Sequence, residues 1–361
     1  MSERIISDIK FKFICKHCKI FFDIDCKVFS LNKFNYLRPC QKFLKMISRR
    51  NIRIKVMQTL YTVSAIESET KAQHSEKAEG KSQKILKQHL DETLSLLVYL
   101  TWFLTEVSRY AETDSHKKAS KHLPSESDLN VNIKISGNEV LWKMLEDEAL
   151  KEQIALLKPE LTTDKELLRK IYLRLVETPE YKTYAALPGR DKTEEKKILE
   201  FILNDLMLAN ELFVSHIEDI FSNWDDDGEM IVQLLAGYIQ KPGSINFKQL
   251  MGAEKAAFAT GLLQTVLEKD EYLQTLIIPK LKNWDPDRIA QLDMIMMKMG
   301  VAEFLYFETI PPKVTINEYI DLAKDYSTQQ SGQFVNGILD NIHKELIEQG
   351  KMQKVEYKKT Y

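Results

Sequence analysis

Pro311-Pro312-Lys313-Val314-Thr315-Ile316-Asn317-Glu318-Tyr319-Ile320-Asp321-Leu322-Ala323-Lys324 and, after a polar turn, Phe334-Val335-Asn336-Gly337-Ile338-Leu339-Asp340 decide the reading of this chain. The first stretch predicts a helix after the proline pair, with Thr315 as N-cap, Glu318 completing a capping box, and Val314 and Tyr319 closing a hydrophobic staple. The second lies in a helix predicted from about Ser331, because Phe334, Ile338, Ile342 and Leu346 recur at i+4 with Val335 and Leu339 beside them. Upstream, Asn283-Trp284-Asp285-Pro286 announces a third helix. Asp285 can accept from an unpaired N–H there, and Pro286 sits where a missing N–H has no consequence. Ile289, Leu292, Met296, Met299 and Glu303 then share one face. Three short amphipathic helices are unstable singly, so each must bury its stripe against the others. An all-α bundle is the expected fold.

Working outward, 361 residues are enough for one large domain or two of ordinary size. Charged residues make up 29% and there are 12 Gly and 10 Pro, a balance that points to a helix-rich folded protein. No apolar run is long enough to span a bilayer and no signal pattern opens the chain, so a cytoplasmic protein without a membrane partner is expected. The net charge of −2 conceals an asymmetry: up to Leu60 there are fourteen Lys or Arg against four Asp or Glu. A basic end on an acidic body suits a polyanion met locally.

The helix predicted from Ser48 carries Ile52, Val56, Leu60 and Val63 as its buried stripe, with Ser48 as N-cap. Arg49, Arg50 and Arg53 occupy its first turns, where the helix dipole disfavours cations by about 0.3–1 kcal/mol each. Guanidinium groups bind phosphate through paired N–H bonds, so a nucleic-acid backbone is one explanation and a solvated basic face the other. Residues 67–82 are polar and unpatterned and read as a loop. A long helical stripe follows through Leu90, Leu97, Leu104 and Val107, with further helices near 139–157, 164–176 and 194–220. Asn223-Trp224-Asp225-Asp226-Asp227-Gly228 mimics the opening of a calcium loop. Leu234 stands where the bidentate Glu belongs, so an acidic loop before a helix at Met230 is expected instead. One long helix is predicted from Ala253 to about Lys282.

Residues 1–45 fit the rest poorly. Cys15-Lys16-His17-Cys18 has the spacing of a zinc knuckle, but Cys26 and Cys40 do not form the second pair that such a site needs, and no metal is expected. No nucleophile–base pair, metal-ligand spacing or phosphate-cradling glycine loop appears, so neither catalytic residues nor a cofactor are expected.

The two quoted stretches resemble the NusB family of bacterial transcription antitermination factors. Phe334 to Asp340 matches that family's FVNGVLD pattern in order and spacing. Ser48-Arg49-Arg50-Asn51-Ile52-Arg53 through Gln58-Thr59-Leu60-Tyr61 resembles its arginine-rich first helix, with Asn51 in place of one usual Arg. The resemblance implies a NusB-like helical bundle with a large helical insertion. Residues 1–45 are then an extension or a mis-assigned start, 46–66 the first bundle helix, 67–225 the insertion, 226–350 the rest of the bundle and 351–361 a tail. It further implies an RNA site at Arg49, Arg50, Arg53, Tyr61, Gln330, Ser331, Gln333 and Phe334, and a contact through Asp293 with NusE, a small-subunit ribosomal protein. The expected ligand is boxA-like single-stranded RNA in ribosomal transcripts, within the RNA polymerase antitermination complex. A helical interaction scaffold without RNA binding is the alternative. Glu303, in the middle of an apolar stripe, is expected to be a structural hydrogen-bond acceptor.

Overall fold

The computed structural model describes residues 13–14, 21–22, 46–70, 76–281 and 289–355. The chain divides into two units, Met1–Lys42 and Phe43–Tyr361. In the first, Phe13–Ile14 and Phe21–Phe22 pair antiparallel, Phe13 opposite Phe22. The four cysteines lie outside the described residues, as does the expected helix start at Asn283–Pro286.

The second unit is helical. It runs α1 (Arg49–Thr70), α2 (Glu76–Ala119), α3 (Glu126–Leu129), α4 (Glu139–Leu145), α5 (Glu148–Leu157), α6 (Lys165–Glu177), α7 (Pro179–Ala186) and α8 (Lys192–Phe201), which continues as a π-helical segment, Ile202–Leu208. There follow α9 (Glu211–Ile220), α10 (Trp224–Gln240), α11 (Ala253–Glu268), α12 (Asp270–Ile277), α13 (Gln291–Tyr306), α14 (Pro312–Tyr326) and α15 (Ser331–Glu348). The all-α expectation holds for this unit. No described helix is long and apolar enough to cross a membrane.

Several boundaries differ from expectation, each for a local reason. The 67–82 loop is mostly helix, because α1 runs to Thr70 and α2 starts at Glu76. Its Glu, Lys and Ala residues favour a helix by intrinsic propensity without needing an apolar stripe. Asp147 splits the 139–157 helix, its Oδ1 accepting from the backbone of Ala149 and Leu150 and so capping α5. The long helix from Ala253 breaks at Lys269, and Asp270 at the head of α12 pairs with Lys298 of α13. The acidic stretch before Met230 is not a loop: Asp225, Asp226 and Asp227 form the first turn of α10, where the dipole favours acids.

Two helices sit at the centre. From Ile295 to Phe304 every residue of α13 except Lys298 is buried, and α1, α11, α12, α14 and α15 all pack on it. The expected single apolar stripe is therefore a helix buried all round. Gly300 allows this crowding, since a Cβ there would meet Leu339 Cδ2 of α15 at 2.9 Å. Helix α1 is the second, buried continuously from Asn51 to Met57 and packed against α2, α10, α11 and α13. Its stripe of Ile52, Val56, Leu60 and Val63 is in the core as expected. Within this span two cations point inward. Arg53 meets Glu303 of α13, and Lys55 Nζ lies 2.8 Å from Asp227 Oδ2 of α10. Two residues are about 200° of helix rotation, so the cations leave α1 in nearly opposite directions and tie it to different neighbours. Thr93 of α2 and Asn223 also donate to Asp227, at 2.7 Å each.

Candidate nucleic-acid interface

The N-terminus of α1 forms as the sequence requires. Ser48 Oγ accepts from the Asn51 backbone N–H at 3.1 Å, and Ser48 O accepts from Ile52. The unfavourable cations at Arg49 and Arg50 have found anions. Arg49 pairs with Glu254 in the first turn of α11, and its Cζ lies 5.7 Å from the centre of the Phe258 ring. Arg50 Nη2 is 2.8 Å from Asp325 Oδ2 at the end of α14, and its Nη1 is 4.0 Å from Glu318. Both arginine side chains keep about a third of their surface open, at 34%. Lys255 stands beside Arg49 and donates to Ile47 O at 2.7 Å; burial first, then the Arg49 charge, holds its pKa below the usual lysine range.

Arg53 corrects the expected RNA site. Its side chain is 2% exposed, with Nε 2.7 Å and Nη2 3.0 Å from the two oxygens of Glu303. Burial alone would pull this guanidinium down, but the bond to Glu303 and that carboxylate's charge outweigh it, and the group is held above its ordinary value. Thr315 Oγ1 and Tyr319 Oη also donate to Glu303, at 2.9 and 2.8 Å. Glu303 is thus the acceptor expected of it, serving four donor atoms. The same geometry overturns the capping box. Pro311 precedes a helix that starts at Pro312, Thr315 is buried inside it, and Val314 is exposed rather than stapled to the buried Tyr319. Proline's fixed φ suits the first helical position, so the helix starts one turn earlier than Thr315 implies.

The turn into α15 brings a second correction. Ser331 is buried, and its Oγ donates to Asp293 Oδ2 at 2.8 Å, while Thr328 Oγ1 lies 2.9 Å from the same hydroxyl. Asp293 is buried too, so neither it nor Ser331 presents a side chain to a partner or to RNA. The acid expected to meet NusE instead pins the first turn of α13 to the first turn of α15. Gly332 fits this turn because a Cβ would come within 2.8 Å of the Lys324 side chain. Gln330 and Gln333 are exposed, and Tyr61 and Phe334 are half-buried against the core.

The structure brings Arg50 close to this turn, through Asp325 only two residues before Ser327. Tyr326 Oη bonds Asp226 Oδ1 at 2.5 Å and Gln58 Nε2 bonds Asp226 Oδ2 at 2.6 Å, so the end of α14 is tied to α1 and α10 together. Glu254, Lys255 and Asp325 escape the sequence reading, since a single acid or lysine at a helix surface carries no periodic signal. Gln291 bonds Ser64, bringing the start of α13 to the second half of α1, on which Tyr61 sits. Among the described residues no cluster of His, Cys, Asp or Glu is arranged to hold a metal.

Comparison with known proteins places these features. The model of the NusB family matches residues 219–344. The transcription antitermination protein NusB of Exiguobacterium sp. is 37% identical over 117 residues, covering 32% of this chain and 91% of the relative. The protein of the same name from Methylacidiphilum infernorum is 45% identical over 83 residues, 23% of this chain and 58% of the relative. That from Salinibacter ruber is 41% identical over 97 residues, 27% of this chain and 61% of the relative. No solved structure matches the chain. With a relative matched over nine-tenths of its length and the helices carrying both sequence motifs packed together around α13, this chain belongs to the NusB family.

Proposed function

We propose that this protein is a transcription antitermination factor that acts by binding, not catalysis: it pairs with NusE and holds boxA-like single-stranded RNA of ribosomal transcripts within the RNA polymerase antitermination complex, in the cytoplasm. In this reading residues 46–66 and 226–350 supply the bundle and 67–225 are an insertion of separate role. The observation that carries it is the pair of partly open guanidinium groups at the start of α1, of which Arg50 lies close to the turn before α15. Two cations at a helix start, where the dipole opposes them, suit a bound polyanion. Gln330 and Gln333 supply amide donors and acceptors for base edges, and Tyr61 and Phe334 supply ring faces for stacking.

The scaffold alternative draws on a different observation, that each of the three arginines already has a carboxylate partner. Filter binding of a boxA-like oligonucleotide, with and without NusE, separates the two. The antitermination reading expects binding that weakens with salt, is strengthened by NusE, and is lost when Arg49 and Arg50 are both replaced by Ala. No RNA binding with NusE present leaves the scaffold, and RNA binding indifferent to those two arginines removes the start of α1 from the site.

A further inference from the structure

The carboxylates on Arg49 and Arg50 come from outside α1, and both are more exposed than the guanidinium groups they hold. Glu254 is 79% and Asp325 57% exposed, against 34% for each arginine. Neither arginine needs its acid to be held in place. Arg49 is seated against the Phe258 ring, and Arg50 also lies within 4.0 Å of Glu318, an acid that Arg53 shares at 3.4 Å. Nor does Glu254 need its arginine, since the start of α11 already favours an acid. Exposed pairs of this kind contribute little to stability. What they do is place a carboxylate oxygen where a phosphate oxygen would bind.

Resting on the RNA-binding reading above, we propose that Glu254 and Asp325 gate the RNA site. They occupy Arg49 and Arg50 in the free protein and must swing aside before a phosphate is taken, so they set a threshold that weak or non-specific RNA does not cross. Removing either charge frees a guanidinium already in position and also removes a repulsion against the incoming phosphate. The side chains are long or exposed enough to move without disturbing the helices they stand on. Asp325 sits in the last turn of α14, where the dipole disfavours an acid, so neutralising it there does not weaken the helix.

The test is fluorescence anisotropy on the full chain with a boxA-like single-stranded oligonucleotide and a scrambled one of equal length. Four variants are compared with the wild type: Glu254→Gln, Asp325→Asn, the two combined, and Asp321→Asn. Asp321 is exposed on the same helix but faces Lys324, at 3.6 Å, so it reports the effect of net charge alone. The gate predicts about threefold tighter binding for each single change and about tenfold for the pair, as the energy of exposed ion pairs implies. The gain should be at least as large on the scrambled oligonucleotide, and Asp321→Asn should give clearly less. Melting temperatures, measured alongside, should stay within a few degrees of wild type. If the double variant binds no more tightly than Asp321→Asn, the gate is overturned. The Arg49→Ala/Arg50→Ala protein tells that failure apart from failure of the RNA reading: wild-type binding lost in it, with no gain in the acid variants, sinks the gate alone. RNA binding by neither wild type nor double variant overturns both.

Discussion

Arg50 and Arg53 stand one turn apart on α1, and both come within ion-pair distance of Glu318, at 4.0 and 3.4 Å. Arg50 is a third open to solvent and ends on an exposed acid, while Arg53 is closed in by α13 and α14 and ends on a carboxylate with no exposed surface. The chemistry of the two pairs is the same; the medium is not. In water the attraction of such a pair is nearly offset by screening and side-chain entropy, whereas in the interior a charge without its partner has nothing to replace lost hydration. A pair can therefore be exchangeable at one turn and obligatory at the next. That difference makes the first turn of α1 fit for a ligand and the second turn a fastening.

The largest effect should come from breaking the inner fastening. Glu303→Ala leaves Arg53 buried with only the more distant, partly exposed Glu318 as counter-charge, and Thr315 and Tyr319 without their acceptor, and is expected to lower stability by about 3–5 kcal/mol in urea unfolding. Replacing Arg53 and Glu303 together by Met should recover most of that loss, because the hydrophobic pair leaves no stranded charge. A Glu303→Ala protein within about 1 kcal/mol of wild type would mean that Arg53 is not desolvated as the structure has it.

Asp227→Ala tests whether the opposite face of α1 is fastened in the same way. It strands Lys55, takes the acceptor from the Asn223 side-chain amide and leaves the Thr93 hydroxyl only the His89 carbonyl within its own helix, and a loss of about 3 kcal/mol is expected. Limited proteolysis should then find α2 easier to cut, since Thr93 belongs to that helix and Lys55 to α1. An unchanged cleavage pattern in α2 would show that this pair does not tie the two helices together.

A smaller, pH-dependent effect belongs to Lys354, whose ammonium caps the carbonyls of Glu303 and Phe307 at 2.7 Å each. Burial pushes its pKa down to about 8, against the opposing charges of Glu303 and Glu308. Between pH 8 and the ordinary lysine range the unfolded chain holds a proton that the folded chain has released, so stability rises with pH in that window. After allowance for solvent screening the rise is about 1 kcal/mol. The difference in melting temperature between wild type and Lys354→Met should grow from pH 8 to pH 10, and a flat difference would break the assignment.

Least disturbed should be the outer turn. Arg49→Ala and Arg50→Ala are each expected to change stability by less than about 1 kcal/mol. If they contact phosphates, each flattens the slope of log affinity against log salt by about 0.7. Loss of stability as large as that of Glu303→Ala would erase the contrast between the two turns.

How far the sequence reaches is clearest at particular residues. The stripe Ile52, Val56, Leu60 and Val63, the cap at Ser48 and the start of α15 at Ser331 are all legible, because each depends on neighbours within about one helical turn of one another. Local chemistry also misleads where a tertiary partner competes for the same group. Thr315 has the sequence context of an N-cap, yet its hydroxyl is claimed by Glu303, twelve positions away in sequence and one helix away in space. Asp293 and Ser331 read as surface groups and instead satisfy each other inside the bundle.

By itself the sequence determined that this chain is helical, where most of its helices lie, and which family's motifs it carries, since periodicity and spacing are properties of contiguous residues. Which of three nearly adjacent arginines faces solvent was decided only by the tertiary structure. Arg53 and Glu303 are 250 positions apart, and no pattern around either residue announces the other. Packing α13 and α14 over the second turn of α1 removes water from one guanidinium and leaves it around two. Burial of a charge is set by whatever surrounds it in space, and that is not written in its neighbours along the chain.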